Sequence, residues 1–220
     1  MAPRRVRAAR HVRDFAAKKR PTQRRSQATL DALVDACTWL LPRRGFAGTT
    51  TNHVAERAGV SIASLYEYFP GKDALVAAVA ERLVDRVLAR LAQEAARAAR
   101  TEPSRAVRVW IESIYETVAQ ERALVAVFAN EVPYTNELEC VRELGPRLLA
   151  FSERIRGAGA GFVHPDFSRA SLHLLINLVT STILQAVLNP PSDVSKRALL
   201  GELARRADDW IRHPLPEPPG

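Results

Sequence analysis

Apolar residues recur every third or fourth position through most of this chain, from Leu30 to Trp210, and no convincing stretch alternates apolar with polar. That spacing stacks side chains along one stripe of a helix, whereas a half-buried strand needs a period of two. The pattern predicts an all-α protein. Gln27–Leu41 carries Leu30, Leu33, Val34, Cys37 and Leu41 on one stripe, and Pro42-Arg-Arg-Gly45 is expected to stop it. Two short segments follow, roughly Thr51–Ala58 and Ile62–Tyr68, divided by Gly59-Val60-Ser61. A long helix, Lys72–Ala99, has Leu75, Val79, Leu83, Val87 and Leu91 at every fourth position.

Beyond Pro103 the expected helices are Ser104–Gln120, Ala123–Val132, Asn136–Arg156 (interrupted by Gly145-Pro146), Phe167–Leu188 and Asp193–Arg212. The sum is about nine helices in two bodies, an N-terminal three-helix module joined to a C-terminal helical bundle. The glycine-rich stretch from Gly157 to Gly161 reads as a hinge, since it follows a helix rather than the strand that a nucleotide loop needs. The expected divisions are a basic arm at 1–22, the module at 23–83, the bundle at 84–213 and a proline-rich tail at 214–220.

With 47% apolar residues the chain has material for a sizeable core. Its net charge of +8 is concentrated at one end. Residues 1–25 hold ten basic side chains against Asp14 alone, which leaves 22 basic and 23 acidic residues, a net of −1, for the remainder. Such an arm suits nucleic-acid phosphates, although a solvated tail has the same composition.

Two cysteines, Cys37 and Cys140, are too few for a disulfide framework or a metal site, and Cys37 reads as a buried structural thiol. No paired catalytic acids, strand-linked phosphate loop or metal-ligand spacing is legible, and the five histidines are scattered. Neither an enzyme, nor a cofactor, nor a metal is expected. The basic start lacks a following apolar h-region. The most apolar stretch, Leu172–Leu188, contains His173, Asn177, Thr180, Ser181, Thr182 and Gln185, so a membrane span is not expected and a cytoplasmic setting is.

Gly59 is the centre of the functional reading. Two helices meeting at a sharp angle need a turn residue that accepts positive φ, which glycine does without steric cost. Thr50 or Thr51 can cap the first helix and Ser61 the second. Val54, Leu65 and Phe69 can fill the shared core. This is the layout of a helix-turn-helix, whose second helix enters the major groove of DNA. Ser61, Ser64, Tyr66 and Tyr68 then offer hydroxyls to phosphates or base edges, and Ile62 and Ala63 offer apolar contact, for instance to a thymine methyl. Lys72 and Thr51 are placed for phosphates.

The stretch from Thr49 to Leu75, TTTNHVAERAGVSIASLYEYFPGKDAL, closely resembles the signature of the TetR/AcrR family of repressors. Arg44-Gly45-Phe46 and the helix containing Ala28, Leu30, Ala32 and Ala36 match as well. The resemblance covers roughly Arg24–Leu83; beyond residue 90 it is one of architecture and length. It implies DNA contact by Thr51, Ser61, Ile62, Ala63, Ser64, Tyr66, Tyr68 and Lys72, and adds Arg24 and Arg25 as phosphate contacts. Ala63 stands where glycine is common and Ile62 where a polar or basic residue is frequent, which leaves the preferred bases open. The family resemblance further implies a homodimeric repressor, released from a palindromic operator by a small-molecule effector. An architectural DNA binder without an effector is the alternative.

In the C-terminal body, Phe167–Leu188 is apolar nearly all round, more than one subunit's core normally requires. With Leu199, Leu203 and Trp210, its Ala186 and Leu188 are expected to build a four-helix interface between two copies through the two C-terminal helices. His173, Asn177, Ser181 and Gln185 form a polar ribbon at steps of four. They can bond an effector, pair across a dimer axis, or bond one another and water. Trp110, Ile114, Tyr115, Phe128 and Phe151, with His173 and Asn177, are the candidate lining of an effector cavity.

Overall fold

The computed structural model describes residues 15–18, 24–98, 100, 102–157 and 167–213. The basic arm before Phe15, the glycine-rich stretch 158–161 and the tail 214–220 lie outside them. The described residues form ten α-helices and no strand: α1 Arg24–Gly48, α2 Thr51–Ala58, α3 Ile62–Tyr68, α4 Lys72–Ala98, α5 Pro103–Gln120, α6 Arg122–Asn130, α7 Glu139–Arg142, α8 Leu144–Gly157, α9 Arg169–Leu188 and α10 Lys196–Arg212. A 3₁₀ turn, Thr135–Glu137, precedes α7.

Side-chain caps explain where four of the helices begin. Thr50, Ser61, Ser168 and Ser195 sit in extended backbone at the starts of α2, α3, α9 and α10, and each accepts a bond from a first-turn amide. A hydroxyl cap of this kind contributes about 0.5–2 kcal/mol relative to alanine.

Of two expected breaks, the one at 42–45 is found at its last residue and the other falls elsewhere. Pro42 lies within α1, and the backbone turns instead at Gly45, where φ is 69°. The positive φ favours glycine, and a Cβ there, 2.5 Å from Glu131 Oε2, would displace that carboxylate. Gly145-Pro146 does not interrupt a helix; it lies in the first turn of α8, where a missing amide proton costs nothing. The interruptions come earlier, at Leu138, which is extended, and at Glu143.

Two cores hold the chain together. The first gathers Leu33, Val34, Cys37, Leu41, Val54, Leu65, Phe69, Leu75 and Val79 from α1–α4. It also takes Leu124, Val127, Phe128, Val132, Tyr134 and Leu138 from the α6–α7 region. The N-terminal module is thus completed by a segment 45 residues or more further along. Tyr134 donates to Asp73 Oδ1 at 2.9 Å, and Phe46 N–H donates to Glu131 Oε2 at 2.8 Å, so this segment is bonded to the module at two points after α6. Arg82 forks from α4 onto Asp31 and Asp35 of α1 at 2.6 and 2.7 Å. Burial pushes the Cys37 thiol up to about 12, which keeps it protonated and inert.

The second core joins α4, α5, α9 and α10 through Leu91, Val107, Ile111, Leu175, Val179, Ile183, Leu200, Leu203 and Ile211. By length and composition α9 is apolar enough to cross a membrane. Here its Leu172, Leu175, Val179, Ile183, Ala186 and Val187 are buried against helices of the same chain.

Candidate DNA-reading face and apolar cavity

The turn between α2 and α3 has the geometry that a helix-turn-helix needs. Gly59 is left-handed, at φ 68° and ψ 29°. Its amide bonds Glu56 O at 3.1 Å, and the amide of Val60 reaches back to Ala55 O at 3.0 Å, so the last carbonyls of α2 are satisfied. Ser61 Oγ then accepts from Ser64 N at 3.0 Å and shares a 2.9 Å bond with Ser64 Oγ.

With Leu65 and Phe69 fully buried beneath it, α3 presents Ser61, Ile62, Ala63 and Tyr66 to solvent, with Ser64 half-buried. Ile62 and Tyr66 are 38% and 43% exposed, a large apolar and aromatic display for so short a helix. The Tyr66 hydroxyl lies 3.2 Å from Thr51 Oγ1, which ties the α3 ring to the start of α2 and fixes its direction. Arg24 and Arg25 are exposed at the start of α1.

Two expected contacts are not where the sequence suggested. Tyr68 does not face outward: it is 6% exposed and belongs to the first core, because Leu65, Tyr68 and Phe69 share one face of α3 at i, i+3 and i+4. Lys72 is turned inward as well. Its Nζ donates to Phe46 O at 2.9 Å and stands 3.8 Å from the centre of the Phe46 ring, so in this state it serves the end of α1. One residue was missed: Glu67 is exposed on α3, where a carboxylate can accept from the exocyclic amine of cytosine.

A separate cavity of about 280 Å³ opens within the second core. Trp110, Ile114 and Phe151 line it, with the Trp110 and Phe151 rings 6.1 Å apart. Leu88, Leu91, Leu148 and Ile176 continue the wall. Among the described residues, Ser152 and Thr180 are its only polar lining residues and no charged side chain lines it; the Thr180 hydroxyl is already donated to Ile176 O at 2.7 Å.

The remaining candidates for the lining lie elsewhere. Phe128 packs in the first core, carried there because α6 lies against α1. Tyr115 is not in the wall: it is one residue past Ile114, about 100° round α5, and its ring meets Lys196 Nζ at 5.1 Å. His173 and Asn177 are exposed and face away from the cavity, with Asn177 Nδ2 donating to His173 O at 2.9 Å.

Ser181 and Gln185 are exposed beside them, and the same side of α9 carries Leu174 and Leu178 at 58% and 45% exposure, whereas Leu184, 37% exposed, lines the cavity. Ala186 and Leu203, expected at an interface, are instead buried within the subunit. Trp210 stacks edge-on against Phe167 at 6.0 Å.

Residues 33–79 match the model of a family described as bacterial regulatory proteins, tetR family. Among curated proteins, the HTH-type transcriptional regulator YuxN of Bacillus subtilis is 23% identical over 184 residues, 82% of this chain. The chain spans 62% of that relative's length. Among solved structures, a TetR transcriptional regulator from Rhodococcus sp. RHA1 superposes with a TM-score of 0.53 at 23% identity, covering 88% of this chain and 100% of that one. The regulator FadR from Bacillus subtilis, solved in complex with stearoyl-CoA, superposes with a TM-score of 0.58 at 15% identity, covering 84% and 98%.

Proposed function

Because this chain is a transcriptional regulator of the tetR family, we propose that it acts as a homodimeric repressor that leaves a palindromic operator when a small apolar molecule fills its cavity. The observation that carries the reading is the outward display of Ser61, Ile62, Ala63 and Tyr66 on a capped helix after a left-handed glycine. In the major groove, Ile62 and Ala63 meet thymine methyls, Ser61 and Ser64 reach phosphates or base edges, and Tyr66 and Thr51 act as a bonded pair. Residues 23–83 form the DNA-binding unit and 84–213 the effector and dimer unit. The segment from Leu124 to Leu138 spans the two, since it belongs to the second by sequence and fills the core of the first.

The wall around Trp110, Ile114 and Phe151 supports a hydrocarbon-rich effector, because a buried ionic group would find no counter-charge among the described lining residues. In FadR of Bacillus subtilis the bound molecule, stearoyl-CoA, carries a long apolar chain. The cavity also favours an effector-responsive regulator over an architectural DNA binder. Filling it would stabilise the arrangement of α4, α5 and α9 whose paired recognition helices are wrongly spaced for DNA, and so lower operator affinity by linkage. A second copy would cover the exposed leucine side of α9, together with its polar ribbon.

Tyr66→Ala tests the DNA-facing assignment. Its operator affinity, measured by gel shift, is expected to fall by about 1–3 kcal/mol with dimerisation intact. Unchanged affinity would remove α3 from the interface.

A further inference from the structure

Lys72 opens α4, separated from the recognition helix by Phe69, Pro70 and Gly71 alone, and yet its ammonium is turned inward. It donates to Phe46 O at 2.9 Å and stands 3.8 Å from the centre of the Phe46 ring. Neither partner is an anion. A neutral carbonyl and a ring face hold a cation less strongly than a charged oxygen does, so a phosphate within reach would take it.

Phe46 is in turn fixed by residues that follow α6. Its N–H donates to Glu131 Oε2 at 2.8 Å. That carboxylate comes so close because Gly45 has no Cβ; one placed there would stand 2.5 Å from the same oxygen. The Tyr134 ring meets the Phe46 ring edge-on at 5.8 Å, and its hydroxyl donates to Asp73 Oδ1, beside Lys72. The Glu131 amide closes α6 onto Val127 O at 2.9 Å, so the carboxylate moves with that helix. Helix α6 touches α1, and also α5 and α9, two of the helices that line the cavity. Contacts therefore run from α5 and α9 through α6, Glu131 and Phe46 to the Lys72 ammonium.

We propose that Glu131 is a latch: by fixing Phe46 it holds the Lys72 ammonium off the duplex. A shift of α6 that withdraws the carboxylate then frees one phosphate contact in each subunit. This rests on the reading of α3 as a DNA-binding helix, which puts the start of α4 beside the duplex. Glu131 acts through Phe46 and is a positioning residue; Lys72 makes the contact. The latch gives the C-terminal unit a way to change operator affinity without altering the spacing of the two recognition helices.

The test uses the full chain and a duplex that it selects from a random-sequence pool. Glu131→Ala, a change at an exposed side chain, is expected to tighten binding about 5- to 30-fold, as for one modest hydrogen bond released in each of two subunits. Glu131→Gln, which removes the charge but keeps an acceptor oxygen, is expected to bind like the parent. Adding Lys72→Gln to Glu131→Ala is expected to abolish the gain. It should also lower the slope of log affinity against log salt by about 1.8, as for two phosphates. A merely structural role for Glu131 would loosen binding rather than tighten it. No gain for Glu131→Ala overturns the proposal, as does a gain that survives Lys72→Gln or that Glu131→Gln reproduces. A parent that selects no duplex would overturn the reading of α3 as well, so the two failures are distinct.

Discussion

Leu174→Glu combined with Leu178→Glu is expected to turn a dimer into a monomer and to weaken operator binding by about 10²–10⁴-fold, the effective-concentration advantage of two linked half-site contacts. Both leucines point away from their own subunit, at 58% and 45% exposure, on a helix whose other side is buried. These exposed leucines are the side of α9 that the proposed second copy would cover. Two carboxylates introduced there would face two more across a symmetric interface and be desolvated without partners. Because neither leucine contributes to the subunit's own core, its folding should survive, and circular dichroism should look unaltered. Sedimentation at micromolar concentration reads the assembly. A parent protein that is monomeric, or a variant that stays dimeric, would place the second copy elsewhere.

Phe69→Ala is expected to lower unfolding stability by about 3–5 kcal/mol, the range for removing a buried phenylalanine. The ring is fully buried at the end of α3, and its backbone amide closes the helix onto Leu65 O at 3.0 Å. It shares the first core with Val54 of α2, Leu41 of α1 and Leu75 of α4, so the cavity left behind loosens the seat of the recognition helix from several sides. For a chain of this length the midpoint should fall by about 6–20 °C. A loss below about 1 kcal/mol in urea unfolding would mean that α3 is held mainly by its caps and loops.

The fold was legible because long amphipathic helices announce themselves by period, and because Gly59 and Ser61 are turn and cap residues with a mechanical reason to be there. The inward place of Tyr68 is present in the sequence: its spacing from Leu65 and Phe69 assigns it to their face, although its hydroxyl suits an outward role. Tyr115 stands one position past the lining residue Ile114, and one step on a helix turns a side chain by about 100°. Phe128 was not recoverable from local pattern. Its destination depends on α6 packing against α1, a contact between segments far apart in sequence that periodicity does not encode. The ribbon at His173, Asn177, Ser181 and Gln185 was a genuine feature, but which way it faced depended on the stripe Leu172, Leu175, Val179 and Ile183 being the buried one. The interior positions of Ala186 and Leu203 have the same origin, since an apolar helix does not say which of its sides meets its own subunit.

Selection of duplexes from a random pool, followed by hydroxyl-radical footprinting, tests the central claim most directly. The account requires a recovered palindrome whose two protected half-sites lie a whole number of helical turns apart, about 10–10.5 base pairs per turn, with protection lost on that same duplex when Ile62 and Tyr66 are both replaced by alanine. Recovery of no common sequence, or protection that survives the double replacement, would contradict it.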